Sequence, residues 1–229
     1  MRALIFGASG GLATSIAEAF LAHNWEVDLV TRKSKKDILK HKFEYAVGQH
    51  RVRIFTVDEK YSSFVPAQPY EAYFFTQSLF FPNPITAMDN IGIAREIEVG
   101  LVDVIQLVRN LLVQHPPDTG ERRDYCFMGS TSSYAGFRNT AVYCTVKHGL
   151  LGFVRAMNDE YAQTDTRFWL FSMGTMNTEM GRRLTEQDPS SFLQPAEVAA
   201  RVVDAVCSRS NIFEPEVILR RRTIRFLEK

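Results

Sequence analysis

The sequence predicts an α/β fold, a doubly wound parallel sheet with helices on both faces. Short apolar runs alternate with segments of helical spacing along the chain, the pattern of strands joined by crossover helices. The runs are continuous rather than alternating, as in strands buried on both faces. The first run leads directly into a glycine cluster and then a helix.

That opening stretch organises the rest. Leu4-Ile5-Phe6 is an apolar strand, Gly7-Ala8-Ser9-Gly10-Gly11-Leu12-Ala13 follows, and Ile16, Ala17, Phe20 and Leu21 then fall at helical spacing. A helix N-terminus carries unpaired N–H groups and a partial positive charge, which suits a phosphate. Gly7 permits the tight turn, and Gly11 permits close approach of backbone to a ligand. Ala13 stands where a third glycine would allow close helix–strand packing. The backbone from Gly7 through Ser9, Gly10, Gly11 and Leu12 is therefore a candidate cradle for a dinucleotide; a plain strand-to-helix turn is the alternative.

Composition narrows the class. The chain has 229 residues, 45% hydrophobic and 23% charged, enough for one core and one domain over 1–229. A net charge of +1, from 27 basic and 26 acidic residues, argues against nucleic acid as a partner. Cys126, Cys144 and Cys207 show neither metal spacing nor a disulfide framework, which points to a reducing, cytoplasmic setting. The first strand leaves no room for a leader. No run is long and apolar enough for a membrane span, so no membrane association is expected.

Trp25 to Thr31 reads as the second strand, ending in Thr31-Arg32-Lys33. An acid at this strand end would meet a ribose hydroxyl, a base a 2′-phosphate. Asp28 sits too early, and Arg32 suits a phosphate through bidentate hydrogen bonds, so NADP is favoured over NAD. Further strands are predicted at Val52–Val57 (followed by Asp58), Tyr70–Phe75, Tyr125–Met128, Arg167–Ser172 and Glu216–Leu219. Helices are predicted over Asp37–Phe43, Ile91–His115, Val142–Ala162 and from Pro195, where Pro suits the first turn. The apolar residues of Ile91–His115 cover more than one face, which suggests burial against a second subunit or deep in a single core. Phe74 and Phe75 read as sheet core, with Phe80 and Phe81 near a cleft. The polar loop Pro116–Arg123 and the basic tail from Arg220 read as surface.

The chemistry lies in Tyr143 and Lys147, four residues apart and so on one helix face. A phenol is a poor acid or base near neutrality, and a neighbouring ammonium brings its pKa down. Tyr143 can then exchange a proton with a carbonyl or alcohol oxygen while a nicotinamide exchanges hydride. A serine at the preceding strand end could polarise the same oxygen. His148 points away along the helix, and the histidines lack acidic or thiol neighbours at ligand spacing, so no metal is expected.

Taken in order, Gly7-x-x-x-Gly11-x-Ala13, the run Gly129-Ser130-Thr131-Ser132-Ser133, and Tyr143-Cys-Thr-Val-Lys147 resemble the short-chain dehydrogenase/reductase family over nearly the whole chain. The resemblance implies a Rossmann-type, three-layer αβα domain and an NAD(P)-dependent oxidoreductase acting on a small-molecule carbonyl or alcohol. It also implies a homo-oligomer. It makes Tyr143 the acid/base, Lys147 its partner and ribose ligand, and Ser130 the carbonyl-orienting serine, with Ser132 and Ser133 as alternatives. It assigns Asp58 to adenine, and Gly174 and Thr178 to the nicotinamide side, with Met173 in place of the family's Pro. Two positions depart from it. The family's Asn-Asn-Ala-Gly is Phe75-Thr76-Gln77-Ser78 here, and its mid-helix Asn, which supports a water-borne proton relay to the lysine, is Gly100. A cofactor-binding regulatory or scaffold protein with little turnover is the rival reading. A nucleotide-sugar epimerase ranks last, because too few residues follow the sixth strand for a substrate domain. In the segment Thr178–Leu193, Met176, Met180, Leu184 and Phe192 stand near Arg182 and Arg183, compatible with an apolar or an anionic substrate.

Overall fold

A computed structural model describes residues 1–117, 120–208 and 212–227; part of the predicted 116–123 loop and the end of the tail lie outside them. Seven strands form one parallel sheet: β1 (Arg2–Phe6), β2 (Glu26–Arg32), β3 (Val52–Val57), β4 (Ala72–Phe75), β5 (Arg123–Ser130), β6 (Thr166–Met173) and β7 (Glu216–Leu219). The order is β3-β2-β1-β4-β5-β6-β7. The order reverses between β1 and β4, and ligands of such sheets bind beyond the strand C-termini at that crevice.

The inner strands are buried on both faces, as their apolar runs require, whereas the edge strands β3 and β7 are partly exposed. On one face, Ile5, Phe74 and Phe171 meet α1 (Gly11–Ala22) and α7 (Pro195–Cys207) through Ile16, Phe20 and Val202. On the other, Phe6, Phe75, Phe127 and Tyr125 meet α5 (Asp103–Gln114) and α6 (Ala141–Glu160) through Leu107, Leu150 and Val154. Phe6, Phe75 and Phe127 stack across neighbouring strands, with centroids 5.6 and 4.7 Å apart. The smaller helices α2 (Lys36–Lys42) and α3 (Glu44–Gly48) link β2 to β3. No helix among the described residues is long and apolar enough to cross a membrane.

The predicted helix Ile91–His115 is not uniform. It runs as α4 (Asn90–Ile97), a π-helical turn at Glu98–Val102, and α5. A π-turn inserts one residue and rotates the register, which broadens the apparent apolar face in sequence. Val104, Leu107, Val108 and Leu111 are core, whereas Ile91 and Val113 are exposed. A Cβ on Gly100 would meet Val146 Cγ1 at 2.6 Å, so the π-turn lies directly against α6. The tail is surface, as expected, with Arg220 and residues 222–227 exposed, yet it is anchored: Asp188 N–H donates to Arg225 O at 2.9 Å, Leu227 N–H to Glu186 O at 3.1 Å, and Arg221 to Gln187 Oε1 at 2.8 Å.

Candidate active site

A cavity of about 1440 Å³ opens beyond the C-terminal ends of β1, β4, β5 and β6. The residues assigned from sequence to catalysis and cofactor binding line it: Gly7, Ser9, Gly10, Gly11, Leu12, Arg32, Asp58, Ser130, Tyr143, Lys147, Gly174 and Thr178; Ser133 and Phe81 do not.

The glycine turn forms its floor. Gly7 has φ +75°, and a Cβ there would lie 2.7 Å from Gln77 N, so both conformation and space require glycine. No side chain caps the N-terminus of α1, whose first turn lines the cavity. Gly11 differs from expectation. A Cβ there would first meet Thr178 Cγ2 at 3.2 Å, so its bareness admits the 174–193 segment. At the end of β2, Lys33 is drawn into an ion pair with Asp58 at 2.6 Å, and both are exposed. Arg32 contacts the Tyr61 hydroxyl and, with Lys35, remains on the cavity wall. Asp28, correctly excluded, is buried with Arg2, Arg53 and Tyr70.

The reacting groups meet at the ends of β5 and α6. Ser130 caps the turn Thr131–Ser133, its Oγ accepting from Ser132 N–H at 3.1 Å. Ser133 Oγ accepts from Ser130 N–H at 3.3 Å, and Ser132 and Ser133 are both buried in that turn. Ser130 is the serine whose side chain meets the Tyr143 hydroxyl. Phe80 packs edge-on against the Tyr143 ring at 4.8 Å. Lys147 is 3% exposed, donates to Met128 O at 2.8 Å, and places Nζ 5.4 Å from the Tyr143 ring centroid.

The expected lowering of the Tyr143 pKa by Lys147 is corrected here. Burial pushes the phenol up to about 12, and the opposing contact is Ser130. Lys147 lies over the Tyr143 ring, and burial brings its own pKa down to about 8.

Sequence reasoning missed several lining groups. Gln77 is 7% exposed, and neither atom of its amide has a partner among the described residues. Its place after β4 was visible only as a departure from a motif. Of the two arginines singled out from sequence, Arg183 lines the cavity and donates to Phe80 O at 2.8 Å, while Arg182 turns aside to Asn177 at 3.0 Å. Arg220, Arg221, Ile224 and Phe226 reach the same cavity from the tail. Glu96, buried on α4, is a further missed group.

Comparison with known proteins gives this geometry a context. Residues 82–189, which include Ser130, Tyr143 and Lys147, match the family described as short chain dehydrogenase. That match covers just under half of the chain and supports the resemblance to the short-chain dehydrogenase/reductase family. A sepiapterin reductase of Chlorobaculum tepidum is 28% identical over 94 residues, 41% of this chain and 38% of that protein. The match therefore spans well under half of that relative's length. Among solved structures, the alcohol dehydrogenase of the archaeon Thermococcus sibiricus, complexed with 5-hydroxy-NADP, superposes with a TM-score of 0.80 at 19% identity, covering 96% of both chains. A short-chain dehydrogenase/reductase of Vibrio parahaemolyticus gives 0.80 at 17% identity, covering 96% of this chain and 100% of that one. These likenesses show the Rossmann-type αβα fold. The family match supports an oxidoreductase.

Proposed function

We propose that this protein is an NADP-dependent oxidoreductase that reduces a small-molecule carbonyl to an alcohol, or catalyses the reverse. The convergence of Ser130, Tyr143 and Lys147 on the cavity that also holds the glycine turn carries this reading. The cavity suits a dinucleotide on its own features. These are the uncapped first turn of α1, the bare Gly7 turn and the orphaned Gln77 amide. Gly7, Ser9, Gly10, Gly11 and Leu12 would hold the pyrophosphate, and Arg32 a 2′-phosphate. Asp58 would lie at the adenine, Gly174 and Thr178 at the nicotinamide, and Lys147 at the ribose. NADP+ in a serine dehydrogenase and 5-hydroxy-NADP in the Thermococcus enzyme support that choice.

When bound, a nicotinamide supplies or accepts the hydride. Tyr143 gives its phenolic proton to the carbonyl oxygen, and the Ser130 hydroxyl donates a hydrogen bond to the same oxygen. The free thiols Cys126, Cys144 and Cys207 fit a reducing, cytoplasmic setting. The exposed Ile91 and Ile105 on the outer face of α4 and α5 fit a homo-oligomer.

The test joins binding to turnover. NADPH should bind by fluorescence titration, and a carbonyl panel should yield a substrate. Tyr143→Phe should then keep the binding and lose about 10²–10⁴-fold in kcat. Unchanged turnover in Tyr143→Phe sinks the assignment. Tight NADPH binding with no turnover on any carbonyl favours the regulatory reading, which the altered Thr76-Gln77-Ser78 segment motivates.

A further inference from the structure

Arg183 is a cation on the cavity wall whose guanidinium is engaged on one side only. The segment after β6 carries it there. A Cβ on Gly11 would meet Thr178, so the segment first touches the glycine turn. It then folds into a tight turn at Gly181–Arg183. A Cβ on Gly181 would run into the Met176 carbonyl oxygen, so only glycine lets this turn close. Gly181 N–H donates to Thr178 Oγ1 at 3.1 Å, which ties the turn back to the same threonine. Arg182 then leaves for Asn177, and Arg183 joins the cavity wall.

One side of the guanidinium is fixed. Nη1 donates to Phe80 O at 2.8 Å, and Cζ stands 5.9 Å from the centroid of the Phe81 ring. Phe80 is buried and packs edge-on against the Tyr143 ring at 4.8 Å, so this anchor ties Arg183 to the reacting end of the cavity. Nε and Nη2 make the other side and hold no hydrogen bond among the described residues. Glu179 Oε1 stands 3.9 Å from Nη2, beyond hydrogen-bond reach, and its side chain is 97% exposed. Elsewhere in the chain the same two nitrogens grip carboxylates. Arg53 holds Asp28 at 2.8 and 2.5 Å, and Arg155 holds Glu216 at 2.6 and 3.1 Å. That fork matches the two oxygens of a carboxylate. The rest of the wall beside Arg183 is apolar: Met176, Met180 and Leu184 of its own segment line the cavity with Phe80.

We propose that Arg183 is the specificity residue of this site and that the substrate is an oxo acid, an apolar carbonyl compound whose carboxylate docks on the free Nε/Nη2 edge. This rests on the carbonyl-reductase reading above and names the substrate class for it. The carboxylate is a handle. It holds the molecule with its carbonyl toward Ser130 and Tyr143, and no bond to the carboxylate forms or breaks during reduction. In the reverse direction the same edge holds the corresponding hydroxy acid.

The test uses benzoylformate, benzoylacetate and benzoylpropionate, which set a carboxylate at increasing distance from one aromatic ketone, each beside its methyl ester. Calorimetry on the full chain, with and without NADP+, reads binding, and NADPH oxidation reads turnover. At least one acid should bind about tenfold more tightly than its ester and show a kcat/KM higher by a similar factor. Arg183→Gln keeps a donor for Phe80 O and removes the charge. It should abolish the acid preference through KM, with ester binding and NADPH affinity kept. Arg183→Lys should restore the preference only in part, because an ammonium is a point charge without the fork. Acids and esters that bind the wild type equally overturn the proposal, as does an acid preference that survives in Arg183→Gln. Were Arg183 only a staple on the Phe80–Phe81 loop, Arg183→Gln would weaken acid and ester alike, which also overturns it. Binding without NADP+ needs neither cofactor nor turnover. Failure of NADPH binding or of carbonyl reduction would therefore overturn the function above by a separate route.

Discussion

Buried carboxylates are treated differently at the two ends of the sheet. At the N-terminal end, Asp28 accepts from Arg2 at 2.9 Å, from Arg53 at 2.8 Å and from the Tyr70 hydroxyl. Asp124 there accepts from Arg122 at 3.0 Å, Arg167 at 2.7 Å and Trp169 Nε1 at 2.7 Å. Both carboxylates are saturated, and arginine is the partner that saturates them. At the C-terminal end Glu96 and the Gln77 amide are equally buried but lack such partners, and Lys147 has only the Met128 carbonyl. The first arrangement fixes the strand starts. The second leaves polar groups whose protons and hydrogen bonds remain available, which is the condition of a reacting or binding site.

The largest expected effect is at the N-terminal end. Asp124→Ala leaves Arg122, Arg167 and the Trp169 N–H facing a void. Breaking such a buried set costs about 3–5 kcal/mol. Chemical denaturation should show that loss, with NADPH affinity of the folded fraction unchanged. A variant as stable as the wild type would mean that these pairs do not anchor the sheet.

The next effect is smaller and depends on pH. Burial raises Glu96 from 4.5 to about 7, so the folded state holds this proton more tightly than the unfolded chain. Its stabilising contribution is complete below 4.5 and lost as pH rises through 7. Lys147 is depressed from 10.5 to about 8, so its contribution is complete above 10.5 and lost as pH falls through 8. Unfolding free energy should therefore fall by about 2–3 kcal/mol across the Glu96 window. Glu96→Gln should remove that fall and leave the alkaline limb. An identical pH profile in the variant would show that Glu96 is solvated after all.

The sequence carried the fold because the inner strands are buried on both faces and so read as apolar runs, from Leu4–Phe6 to Phe168–Phe171. Tyr143 and Lys147 were legible because their spacing alone sets a shared helix face. The choice of Ser130 over Ser132 and Ser133 needed the turn geometry that buries the other two. Glu96 was illegible because a lone acid in a helix reads as a solvent face. Its burial comes from tertiary packing, which sets the Phe81 backbone and the Lys147 charge to act on it. The π-turn leaves no periodic mark either, since one added residue only blurs a 3.6-residue pattern. The tail reads as surface and is exposed; what the sequence hid is its anchor, since Arg221 meets Gln187 and Ser191 only once the chain is folded.

The smallest effect separates ligand charge from stabilising charge. Two cations end β2, but Lys33 is engaged by Asp58, and Arg32 is the one on the cavity wall. An arginine that binds a 2′-phosphate contributes to NADPH affinity and nothing to NADH. Arg32→Ala should therefore weaken NADPH about tenfold while NADH is unchanged, and Lys33→Ala should alter either by less than about twofold. Raising the salt concentration should narrow the NADPH difference, because an exposed guanidinium–phosphate contact is screened. The thermal midpoint should stay with the wild type, unlike that of Asp124→Ala. Equal weakening of both cofactors would place Arg32 at the adenosine rather than at a 2′-phosphate. A drop in stability matching Asp124→Ala would erase the distinction between the two ends, because a cation at the ligand end would then be holding the sheet together.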